Sequence, residues 1–277
     1  MGDALAAWVF DNSQSIGRSV RRRVERHQIF RKAEDTANRG GMEAFDELQG
    51  AWATVEGRFM SSRPIQRLAA GSVGPNHYAA YLRETYFYTR EDPQIQALAT
   101  AWFRGADREM VKPFLQHALA EVGHDQMALD DLAMLGFDIG SIPSENPLPT
   151  TLALISFPYY AIQYRTPISY LGYLYFLEFL PTSQGAGISV ALSHAGVPEA
   201  AMSFLKEHRT ADVGHNRLMK RYADKMLRRR EDVDEVAYAM NITAKLFSGM
   251  LEGAFESVDR GESQFLPKAN RALEPDQ

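Results

Sequence analysis

Residues 117–124 read His-Ala-Leu-Ala-Glu-Val-Gly-His, and residues 208–215 read His-Arg-Thr-Ala-Asp-Val-Gly-His. Both are His-x3-acid-Val-Gly-His, and this repetition constrains the fold more than anything else in the chain. At 100° per residue, positions i, i+4 and i+7 of an α-helix lie within about 60° of one another, so each segment puts three polar side chains on one helix face. With 7 His and 35 acidic residues in 277, chance supplies such a pattern on the order of 0.02 times per chain, before Val-Gly is required as well. One copy would pass for a solvated helix face, but a surface has no reason to repeat itself. Leu119, Val122, Leu129 and Leu132 around the first copy, and Phe204, Leu205, Val213 and Leu218 around the second, predict that both stripes lie against a core. Gly123 and Gly214 each cost about 1 kcal/mol relative to Ala inside a helix, which predicts a close neighbour at each.

The rest of the chain agrees with helices. Period-3.6 patterns dominate, and no alternating β-branched run bounded by turns stands out, so the fold class is all-α with any strand incidental. Residues 1–41 form an arm, helical or flexible, with a basic cluster at Arg21, Arg22, Arg23 and Arg26 before the Gly40-Gly41 breaker. From Met42 a helix runs to about Met60, another opens after Gly74-Pro75-Asn76, and Asp92-Pro93 marks a break. A long helix is expected from about Asp107 to Leu135, closed by Gly136, with Ile142 to Pro149 as connector. Two apolar helices separated near Pro167 come next, then one from Pro198 through about Arg229 and a last one from about Asp232 to Val258. Residues 42–260 thus form a single up-and-down bundle of about seven core helices with internal pseudo-two-fold symmetry, and residues 261–277 a flexible tail.

Chemistry narrows further by elimination. The chain has no cysteine, which removes disulfides, thiolate ligands and a thiol nucleophile. A metal therefore needs histidine and carboxylate. Glu178 is the only charge between Arg165 and Glu199, set in Tyr-Leu-Tyr-Phe-Leu-Glu-Phe-Leu, where an unpaired carboxylate is costly to bury. An arginine, a tyrosine or a metal cation would satisfy it. Glu121, His124, Glu178, His208, Asp212 and His215 on facing helices would make a mixed nitrogen–oxygen site that suits iron or manganese, and two ions more readily than one. His117, the counterpart of His208, is a further ligand, a hydrogen-bonding support for one, or an exposed residue. The first-half carboxylate stays open among Glu121, Glu84 and Glu91. The tyrosines at 86, 88, 159, 160, 164, 170, 173 and 175 read mostly as helix packing, a few as walls of a pocket.

Glu121-x2-His124, a lone Glu178 on a later helix and His208-x3-Asp212-x2-His215 near the end resemble, in that order, the haem-oxygenase-like diiron oxidases and oxygenases. The similarity runs from about Met42 to Val258 and includes the helix bearing Tyr81, Leu82 and Tyr86. It implies a bundle related to haem oxygenase and TenA-like proteins that binds two Fe(II) ions and no haem. It also implies O2 as co-substrate, an external reductant in some reactions, and Glu121, His124, Glu178, His208, Asp212 and His215 as ligands. Within that family the chemistry is applied to N-oxygenation, desaturation or cleavage of amino acids and amines, and to oxidative decarboxylation of fatty acids. An amine or amino-acid substrate is the expectation here. Thiaminase-like relatives need a cysteine this chain lacks, and haem oxygenase an early axial histidine, for which only His27 in the arm is on offer.

A net charge of −5 offers no nucleic-acid footprint. The most apolar segment, Thr151 to Pro181, carries Gln163, Arg165 and Glu178, so no run of about 20 apolar residues suggests a membrane span. With no secretory pattern after Met1, a cytoplasmic homodimer with a small-molecule substrate is expected. Two rivals remain: a ferritin-like metal-binding protein without substrate chemistry, and a metal-free interaction module. A cavity of about 300 Å³ or more beside the metals would separate an enzyme from a storage bundle.

Overall fold

A computed structural model describes residues 41–210, 212–262 and 268–269, excluding the side chains of 41–43, 209–216 and 268–269. The chain divides into residues 1–39 and 40–277, and every described residue belongs to the second unit. The expectations for the arm and for most of the tail lie outside the described residues.

The helices are α1 (Gly41–Met60), α2 (Arg63–Ala69), α3 (Pro75–Thr89), α4 (Asp92–Thr100), α5 (Val111–Glu121), α6 (His124–Met134), α7 (Pro149–Tyr160), α8 (Ser169–His194), α9 (Ser203–Thr210), α10 (Asp212–Met226) and α11 (Arg230–Arg260). The architecture is all-α. The one sheet among the described residues is a two-residue antiparallel pairing of β1 (Phe137–Asp138) with β2 (Lys268–Ala269), which ties two residues of the C-terminal segment to the end of α6. Pro75 and Pro93 sit in the first turns of α3 and α4, where a missing N–H costs nothing. α7 continues into a wide turn over Ala161–Arg165 and stops before Pro167.

α8 and α11 form the spine. α8 is apolar nearly all round, and such a helix is stable only when enclosed. α11 packs on it, on α1, α3 and α7, while α9 and α10 cover another side of α8. Trp52, Phe59, Phe176 and Phe247 interlock edge to face at the centre, with ring centroids 5.3 to 6.0 Å apart. At Gly172 the α8 and α11 backbones come so close that a Cβ there would run into the Val236 carbonyl oxygen and lie 2.6 Å from the Met240 nitrogen. No helix among the described residues is long and apolar enough to cross a membrane.

Several expectations need correction. The helix predicted from Asp107 to Leu135 is broken: a 3-10 turn covers Gly105–Met110, α5 ends at Glu121, and α6 begins at His124. Gly123 between them has φ +102° and no atom within 4 Å of the place a Cβ would take, so its glycine serves a left-handed backbone and not a close neighbour. Leu119 and Val122 are 73% and 63% exposed. A helix here has only one inward face, and Phe114, His117, Ala118 and Glu121 take it. The helix predicted from Pro198 to Arg229 is likewise two, α9 and α10, and α2 had no counterpart in the expectation.

Candidate metal centre

Four helices converge on one cluster. The end of α5 brings His117 and Glu121, the first residue of α6 brings His124, and mid-α8 brings Glu178; α9 adds His208. His117 Nε2 lies 3.1 Å from Glu178 Oε1 and 3.4 Å from Glu121 Oε1. His124 Nδ1 lies 2.7 Å from Glu121 Oε2, and the His124 and His208 rings meet edge to face at 4.6 Å. Two overlapping donor sets result: Glu121, His124 and His208, and His117, Glu121 and Glu178, each with its donor atoms within 4.8 Å of one another. Glu121 belongs to both.

A break at Gly123 runs through this geometry. The left-handed residue separates α5 from α6, so the last residue of α5 and the first of α6 meet across a joint between two helices. His208 is fixed through the backbone. Its Nδ1–H donates to the Phe204 carbonyl at 2.8 Å, which leaves Nε2 with its lone pair toward the cluster. Asp131 of α6 accepts from the Ser203 and Phe204 amides, both at 2.9 Å, and from the Ser203 hydroxyl at 2.7 Å, capping the helix that carries His208.

The protonation pattern is that of donors packed together. Burial pulls His117 down, but its contacts with Glu121 and Glu178 outweigh that and push it up to about 9. Burial raises Glu121, yet His117 and His124 hold it well below the usual carboxylate range. His124 is raised by Glu121 beside it, whereas His208 is lowered, first by burial and then by His124. Glu121 Oε1 and His124 Nδ1 are buried without a properly aligned hydrogen bond, although Nδ1 sits so near the other Glu121 oxygen. Nitrogen and oxygen donors that approach without hydrogen-bond alignment, in a donor set of imidazole and carboxylate, fit a divalent first-row metal.

Asp212 and His215 stand at the start of α10, which packs against α8, but their side chains lie outside the described residues. Glu84 is not brought to the cluster. It is buried on α3, paired with Arg83, and accepts from the Leu148 amide at 2.9 Å and the Thr151 hydroxyl at 2.5 Å. Glu91 accepts from the Tyr159 hydroxyl at 3.0 Å. Of the three first-half carboxylates, the fold brings Glu121 to the histidines.

A cavity of about 110 Å³ opens onto Glu121, Glu178 and His208 and runs between α2, α3, α8 and α11. Tyr78, Tyr81, Tyr88, Tyr170 and Tyr173 are the tyrosines in its wall. Its volume is below the 300 Å³ that would by size alone mark a substrate pocket. Sequence reasoning missed Asp92 and Gln96, which also line it. Asp92 accepts from the Tyr173 hydroxyl at 2.9 Å, and burial raises its carboxyl well above the usual range. Its Asp-Pro context reads as a helix start, and a glutamine carries no charge to attract notice, so neither left a signal.

Fold and site together define a haem-oxygenase-like helical bundle with a histidine–carboxylate cluster at its centre. The chain belongs to the family of iron-containing redox enzymes, whose pattern matches residues 79–248. A crystal structure of a domain of unknown function with a haem-oxygenase-like fold from Shewanella denitrificans OS217 is 26% identical. It covers 79% of this chain and 95% of its own, with a TM-score of 0.73. A TenA homologue from Pseudomonas syringae pv. tomato DC3000 is 13% identical over 78% of this chain and 92% of its own, with a TM-score of 0.62, a likeness of fold alone. No curated protein matches the chain.

Proposed function

We propose that the protein is a non-haem diiron, O2-dependent oxidoreductase acting on a small organic molecule. The observation that carries this reading is the pair of donor sets sharing Glu121 at the head of a largely apolar cavity. His117, Glu121, His124, Glu178 and His208 would hold the ions, with Asp212 and His215 of α10 as the remaining expected ligands. Two ferrous ions held there would supply two of the electrons that O2 takes up and leave the rest to substrate or an external reductant. The chain supplies the surroundings. Glu121 and Glu178 offset the cations' charge, the Phe204 carbonyl fixes the His208 ring, and Phe247, Leu251 and Leu174 give the cavity an apolar wall.

The modest cavity volume favours weighing a storage protein beside the enzyme. Anaerobic loading with ferrous iron followed by O2 exposure separates them. The enzyme binds about two irons per chain and consumes O2 repeatedly when substrate and reductant are present; a storage protein consumes O2 only in proportion to the iron supplied. Glu178→Ala, His208→Ala and His215→Ala are expected to lose stoichiometric iron and O2 uptake, and full turnover in any of them would refute the assignment. A homodimer is part of the same proposal, and light scattering of the purified chain tests it.

A further inference from the structure

Two polar side chains in the cavity wall have no part in the metal centre. Asp92 opens α4 and Gln96 sits one turn later, so both project from one face of that helix. Gln96 is fully buried; its Oε1 accepts weakly from the Tyr170 hydroxyl at 3.5 Å, and its Nε2 has no hydrogen-bond partner. A buried amide donor left unmade is costly, and cores keep one only where something else satisfies it. Because Gln96 lines the cavity, its free donor calls for an acceptor on a bound molecule.

Charge then narrows the acceptor. The cavity wall holds the carboxylates of Asp92, Glu121 and Glu178, and among its described lining residues there is no lysine or arginine. An anionic head beyond the reach of the ions would find no counter-ion in that wall. The rest of the wall is apolar, with Phe59, Ile65, Leu68, Leu174, Phe247 and Leu251 enclosing the remainder of the bound molecule.

We propose that Gln96, with Asp92 beside it, is a specificity subsite for an uncharged hydroxyl or carbonyl oxygen on an otherwise apolar substrate. This inference deepens the oxidoreductase reading and rests on it for the word substrate. The oxygen accepts from Gln96 Nε2, and a hydroxyl would donate in turn to Asp92.

The test measures binding of three probes of equal chain length, hexan-1-ol, hexanoate and hexylamine, to the full chain without added metal. Ligand-observed NMR is suited to the weak affinities expected. Hexan-1-ol should bind most tightly, and Gln96→Leu should weaken it roughly three- to tenfold, the loss of one neutral hydrogen bond. Gln96→Met, a closer match in shape, guards against misfolding. Both variants should keep the wild-type melting temperature or exceed it, since they remove an unmade donor, and a purely structural glutamine would not give weaker binding with unimpaired stability. Tightest binding by hexanoate, tightest binding by hexylamine that Asp92→Asn abolishes, unchanged hexan-1-ol binding in both Gln96 variants, or no binding by any probe would each overturn the proposal. Because binding is read without metal, its failure is distinct from failure of the iron titration.

Discussion

Two glutamates buried to a similar depth show how far a residue's neighbours decide its role. Glu178 and Glu84 are both buried, but Glu84 has Arg83, Thr151 and the Leu148 amide around it, while Glu178 faces His117 in a cluster of donors. Glu84→Gln removes one partner of a buried ion pair while Glu145 stays on Arg83, so a loss of about 1–3 kcal/mol of stability is expected with iron stoichiometry unchanged, read by denaturant unfolding and metal analysis. Unfolding as stable as wild type would disprove the pairing. His117 gives a second prediction. Its folded pKa of about 9 lies above the ordinary imidazole value of 6.5, so in metal-free protein its proton stabilises the fold in full below about 6.5. That contribution is lost as pH rises through about 9. The thermal midpoint of the metal-free chain should fall between pH 7 and pH 10, and His117→Gln should flatten the fall. From the sequence, Glu178 stood out because no other charge lies near it, and Glu121 with His124 because the motif repeats. Glu84 stayed open in the sequence because one of its partners, Thr151, is 67 positions away.

Among the elements, helix ends were legible wherever proline or glycine marks them, as at the starts near Pro75 and Pro93 and the stop at Gly136, because those residues act on the local backbone alone. The breaks within the repeats were not. A glycine inside a periodic polar pattern reads as a tolerated helical residue, and only the positive φ at Gly123 reveals a joint. Gly172 was equally silent, since the neighbour that demands it lies on α11, more than 60 positions further on. Replacing Gly172 with Ala would push a methyl group into the α11 backbone, which cannot step aside as a side chain can. Destabilisation by at least about 1–3 kcal/mol is expected, with weaker iron binding because α8 carries Glu178. A variant that unfolds like wild type in a urea titration would refute the close approach.

For the molecule as a whole, the all-α class came from periodicity, since a helix-forming pattern recurs in nearly every segment. The cavity did not, because its wall draws on α2, α3, α4, α8 and α11 at once and no local pattern records such a convergence. The joint at Gly123 bears on the behaviour of the entire chain. Val122 is exposed and its neighbour has a conformation few residues adopt, so this is a segment a protease can enter once it loosens. Donors from both sides of the joint enclose the same point, and a shared cation there would bind α5 to α6 as a rivet binds two plates. Limited digestion should therefore cut near residue 122 readily in chelated protein and slowly after anaerobic iron loading; equal rates would dissociate the joint from the ions. Iron status would then set how long the chain survives as well as whether it reacts.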